Sequence, residues 1–174
     1  MRWKIALLLL AALLLIALCG ACGAEPPLRL HIMANSDSDT DQQVKMEVRD
    51  AVLLATAQGI EQCENEADAE EYISENLEII EATANAVLEE KGANYTAHAQ
   101  IGTYHFPDRT YGDVTYPEGD YRAVRIVLGE GEGHNWWCVM FPPLCISEIT
   151  GEDEDTEYTS FFAELWEDWF GVCP

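Results

Sequence analysis

At Gly92 the spacing of apolar residues changes from helical to alternating, and a fold built from one kind of element cannot accommodate both. Upstream, Val44, Val48, Ala51, Val52 and Ala55 share one helical face. Thr40-Asp41-Gln42-Gln43 has the form of a capping box at its start, and Gly59 is the expected stop. A second helix begins at Asp68-Ala69-Glu70-Glu71, carries Ile73, Leu77, Ile80, Ala84, Val87 and Leu88 as one stripe, and ends at Lys91-Gly92. Before both helices, Leu28–Met33 sets Leu, Leu and Ile against Arg, His and Met, the pattern of a half-buried strand. Downstream of Gly92 the period is two: Tyr95, Ala97, Ala99 and Ile101, then Val124, Ile126 and Leu128, then the apolar run from Trp136 to Phe141. Pro117–Asp120 reads as a turn and Gly129–Gly133 as a hairpin loop. With 174 residues the chain suits one domain. The expectation is a single small α+β domain: an N-terminal strand, two helices, then antiparallel strands and hairpins, plus a short C-terminal helix.

The two ends differ from this middle. Met1–Lys4 is a short positive start, Ile5–Leu18 is unbroken apolar sequence, and Cys19–Ala24 supplies small residues. This is an export leader. Its fates are cleavage near Gly23 or Ala24, retention as an anchor, or lipidation at Cys22. Cleavage ranks first, because the run is shorter than the ~20 residues a membrane span needs and Cys19 occupies the usual Leu position of a lipobox. Past Ile149 the chain turns acidic, and Phe161, Phe162, Leu165, Trp166, Trp169 and Phe170 then form an apolar face at helical spacing. Packing on the domain is the favoured role for this helix. Its acidic polar face argues against membrane binding. The expected divisions are 1–24 (leader or anchor), 28–149 (domain) and 150–174 (acidic linker and amphipathic helix).

Charge narrows the partners. Nine basic residues against 32 acidic ones give −23. Arg2 and Lys4 lie in the leader, so seven basic against 32 acidic residues, −25, remain beyond it. Such a surface repels nucleic acid. Asp37, Asp39 and Asp41 have the opening spacing of a calcium loop, but Gln42 and Val48 stand where it needs Gly and Glu, so a helix-start turn is expected, with Asp37 as a cap. Neither a metal nor another cofactor is expected. His134 and Cys138 imitate a Cys/His nucleophile pair, yet a thiol within an apolar strand is disfavoured as thiolate. Four cysteines remain beyond the leader, allowing three pairings among which the sequence does not choose. A Phe141-Pro142-Pro143 turn between Cys138 and Cys145, together with export, favours their bond over two reduced core thiols.

Two longer segments say more. Leu30-His31-Ile32-Met33-Ala34-Asn35-Ser36-Asp37-Ser38-Asp39, continuing through Val44-Lys45 to Arg49-Asp50-Ala51-Val52, resembles the opening signature of the stage II sporulation protein R family. Tyr111-Gly112-Asp113 through Tyr121, then Gly133-His134-Asn135-Trp136-Trp137-Cys138 through Pro142-Pro143-Leu144-Cys145, resembles its closing signature. The resemblance implies a non-enzymatic, exported signal of endospore formation. It implies release across the forespore membrane into the intermembrane space, where the protein activates a membrane-embedded protease of the mother cell that processes a pro-sigma factor. The rival readings are a secreted hydrolase using His134 and Cys138, and an envelope lipoprotein held by Cys22. Candidate contact residues are Asn35, Arg49, Asn135, Trp136, Trp137, Trp166 and Trp169. Adjacent Trp136 and Trp137 should face opposite sides of a strand, one toward the core and one either available for contact or covered by the terminal helix. Oligomeric state is left open.

Overall fold

Strand β1 (Leu28–Met33) is paired along both edges, and the rest of the domain is arranged around it. In this computed structural model, which describes residues 26–111 and 114–145, it is followed by helices α1 (Asp39–Glu61), α2 (Glu66–Glu75) and α3 (Leu77–Glu90). Strands β2 (Ala97–Phe106), β3 (Arg109–Tyr111), β4 (Val114–Tyr116), β5 (Gly119–Leu128) and β6 (Asn135–Phe141) complete a small α+β domain. The main sheet has the order β2-β5-β1-β6, with β1 parallel to β5 and antiparallel to β6. This central placement corrects the half-buried expectation for β1. Leu28, Leu30 and Ile32 enter the main core, while Arg29 and His31 on the opposite side are 0% and 6% exposed.

The Gly129–Gly133 segment is therefore not a hairpin. Strands β5 and β6 flank β1, so their loop crosses its C-terminal end. It is bonded there: the Gly133 amide donates to Ala34 O (2.9 Å), the Glu132 amide to Asn35 O (3.2 Å) and the Glu130 amide to Asn35 Oδ1 (3.1 Å). A parallel β1–β5 pair requires a long intervening connection, and the three helices supply it.

All three helices pack on one face of the sheet, through Val44, Val48, Val52, Leu53 and Ile60 of α1, Ala69 and Ile73 of α2, and Ile80, Ala84 and Leu88 of α3. Helix α1 starts two residues before the expected capping box, at Ser38, whose hydroxyl accepts from the Asp41 amide (3.1 Å). It also runs through Gly59. A Cβ there would lie 2.0 Å from the Tyr72 ring, so this glycine admits α2 rather than stopping α1. The single second helix expected from the apolar stripe is two. Asn76 (φ −104°, ψ 12°) breaks it, its side-chain amide donating to Tyr72 O (2.8 Å) in competition with the helical ladder. Helix α3 closes β2's free edge: Asn85 exchanges hydrogen bonds with both backbone groups of Ala97, and Glu81 accepts from the Ala99 amide (2.8 Å). The three-residue strands β3 and β4 are too short for periodicity to reveal. The expected C-terminal helix and the leader lie outside the described residues, as do Trp166 and Trp169. Among the described residues no helix is long and apolar enough to cross a membrane.

The Cys138–Cys145 disulfide is formed, with Cα atoms 5.8 Å apart across a separation of seven residues, leaving Cys63 as a free thiol. Thiol titration of the denatured, unreduced protein without its leader is expected to find Cys138 and Cys145 unreactive, so at most two thiols respond. Four would show the bond absent. On the chain-entropy account, replacing both bonded cysteines by Ser costs about 2.5 kcal/mol, since the loop is short.

Candidate functional site

The corner between β1 and α1 is a closed polar network. Asp41 accepts from Asn35 Nδ2 (2.9 Å), Ser36 Oγ (2.5 Å) and the Tyr95 hydroxyl (2.6 Å). These donors, Ser36 first and Tyr95 next, hold its carboxyl below the ordinary range, and burial beside Asp41 pushes the Tyr95 phenol up. Asp37, expected as the cap of α1, instead ties in the crossing loop. Its Oδ1 accepts from the His134 amide (2.6 Å) and lies 2.5 Å from His134 Nδ1. Lys45 is nearly buried, donating to Gln42 Oε1 (2.7 Å) and His134 O (3.0 Å), and desolvation lowers its pKa. Asn35 thus holds the corner together from within. Arg49 lies on the neighbouring surface of α1, its guanidinium 5.2 Å from the Trp136 ring centroid and its Nε donating to Asp50 (2.7 Å).

Trp136 and Trp137 do face opposite ways. Trp136 packs at the margin of the main core beside Arg49. Trp137 lies on the face away from the helices, stacked on His31 at 3.7 Å and edge-on to Phe106 at 4.7 Å. Asn135 Oδ1 accepts from His31 Nε2 (3.0 Å). On the same face Arg29 sends Nε to Cys138 O (3.0 Å), and its guanidinium lies 4.5, 4.9 and 5.5 Å from the ring centroids of Phe106, Tyr121 and Tyr116. Burial lowers the Arg29 pKa and drives that of His31 down to about 4. Sequence reasoning missed this buried pair. The polar residues of a lone alternating strand read as solvent-facing, and only the pairing of both β1 edges covers them.

Cys138 carries no thiol, so the His134–Cys138 nucleophile pair does not exist in this fold. Among the described residues no group of three His, Cys, Asp or Glu side chains could hold a metal ion. A hollow of about 230 Å³ near the start of β1 is lined by Leu28, Glu66, Glu70 and Arg122, and its arginine is already paired with Glu70.

The sequence model of the family described as stage II sporulation protein R matches residues 24–151. The chain belongs to the stage II sporulation protein R family. Stage II sporulation protein R of Bacillus subtilis (strain 168) is 42% identical over 138 residues, covering 76% of this chain and 62% of that protein. The chain therefore spans under two thirds of that relative's length. No solved structure matches. Membership of the stage II sporulation protein R family supports a role in sporulation. In this member the two signature segments meet in space: Ala34, Asn35 and Asp37 of the opening one bond Gly133 and His134 of the closing one or the loop leading to them.

Proposed function

We propose that this protein is an exported intercellular signal of endospore formation that activates a membrane-embedded protease of the mother cell, leading to processing of a pro-sigma factor. In this reading it is released across the forespore membrane into the intermembrane space and is a ligand, not an enzyme. The observation that carries the reading is the joining of both family signatures at one end of the sheet, with Trp136 and Arg49 beside it. Further support comes from the leader and from Cys138 being locked in a disulfide. The contact surface is the indole of Trp136 with the Arg49 guanidinium over it. Aromatic and arginine groups are the usual anchors of small interfaces. A diffuse acidic surface steers poorly by comparison, its exposed charges being screened over about 8 Å.

Co-expression with the protease and its pro-sigma substrate tests this. Processing should require the protein, and Trp136→Ala should raise the dissociation rate about 30-fold, the equivalent of about 2 kcal/mol for an anchoring aromatic. Added salt should change association little. His134→Ala should leave activation nearly intact, because the His134 amide still binds Asp37. Processing without the protein would refute the activator role. A steep salt dependence of association with Trp136→Ala unaffected would move the contact elsewhere. Mass spectrometry of the native N-terminus separates the cleaved, anchored and Cys22-lipidated forms.

A further inference from the structure

The helices cover one face of the four-stranded sheet, and among the described residues its other face has the β3–β4 pair near it, through Tyr116 beside Arg29 and the Tyr111 hydroxyl donating to Trp137 O (3.0 Å). Two features set this outer face apart. First, alternation and register place no Asp or Glu on it, although the chain has 32 acidic residues. Its ionisable side chains in the four strands, tyrosines aside, are Arg29, His31, His98 and Arg125. Second, it is aromatic, with Trp137 and Tyr104 partly exposed at the margin of the Phe106 cluster and Arg125 4.3 Å from the Tyr104 ring centroid.

The chain carries a matching segment. Residues 150–174 contain eight Asp and Glu and no Lys or Arg, with Phe161, Phe162, Leu165, Trp166, Trp169 and Phe170 among them. The described chain ends at Cys145, pinned by its disulfide to Cys138 on the helix side of the edge strand β6, so the segment reaches the outer face by passing round that edge. From Cys145 to Phe161 an extended chain reaches about 50 Å. Crossing four strands takes only about 15 Å. A segment so tethered meets the face at an effective concentration in the millimolar range, which favours it over a second copy.

We propose that the outer face of the sheet is the seat of the chain's own C-terminal segment, with the aromatic run 161–170 laid over Trp137 and Tyr104 and its carboxylates facing Arg125. Trp136, on the opposite side of β6, stays outside this contact.

The test uses the full chain labelled with 5-fluorotryptophan and does not involve the protease. Relaxation of each indole fluorine by a soluble paramagnetic chelate reports its exposure. In the unaltered chain Trp137 is protected. Combined Trp166→Ala and Trp169→Ala raise its relaxation several-fold, Arg125→Gln does so partially, and Trp136 is unchanged in both. The urea midpoint of each variant confirms the folded domain. If Trp137 relaxes equally in the unaltered and altered chains, the proposal is wrong. Protection of Trp137 that disappears on dilution would assign the face to a second copy and equally overturn it.

Discussion

Gly133→Ala is expected to cost about 3 kcal/mol and, in the role proposed above, to abolish activation, since the added methyl overpacks a site made of backbone. A Cβ at this position would lie 2.2 Å from Ser36 O, 2.5 Å from Ser36 C and 2.9 Å from Ala34 Cβ. Two of those atoms are main chain and cannot swing aside as a side chain would. The crossing loop must move away from the end of β1, taking with it the Gly133–Ala34 hydrogen bond and the His134 contacts with Asp37. Gly92→Ala is the control. Gly92 has φ +68°, but nothing lies within 4 Å of its added Cβ, so only backbone strain of about 1 kcal/mol is expected. Urea unfolding of the two variants separates a steric clash from lost glycine freedom. A Gly133→Ala protein as stable as the Gly92→Ala one would show that the two signature segments do not pack as described.

Acidification gives the second large effect. Burial holds His31 near pH 4 in the folded protein, against about 6.5 when unfolded. Above pH 6.5 both states are neutral at this site and its full contribution is present. Between 6.5 and 4 the unfolded chain takes up a proton that the folded one refuses, so stability falls as the pH drops. The loss levels off below about 4 and amounts to about 3 kcal/mol. His31→Phe removes the titration while keeping a ring against Trp137. Asp41 and Glu70, whose carboxyls are held low by their partners, add stability that is also lost in acid, but they do so in both proteins. The difference in unfolding free energy between wild type and His31→Phe, followed from pH 7 to pH 4.5, should therefore shift against wild type by most of that amount. A difference independent of pH would mean that His31 titrates normally and is open to water.

What the sequence determined by itself is local. Helical spacing in α1 and α3, alternation in β2 and β5, and the Lys91-Gly92 stop are each written within a few residues, because side-chain period follows directly from backbone geometry. The opposite facing of Trp136 and Trp137 is of the same kind. Family membership was legible too, since two long signatures in order carry more information than any period. Tertiary structure decided whatever depends on which distant segments meet. Nothing in Leu28–Met33 says that it will lie parallel to β5 and separate it from β6, yet that placement buries Arg29 and His31 and turns a hairpin loop into a crossing. It also takes Asp37 from the helix cap to His134, a residue 97 positions away. The Cys138–Cys145 bond was favoured by the turn between the two residues, and the fold supplies the approach of their Cα atoms to 5.8 Å. Hydrogen-bond partners and burial are properties of the assembled sheet, and no window of sequence contains them.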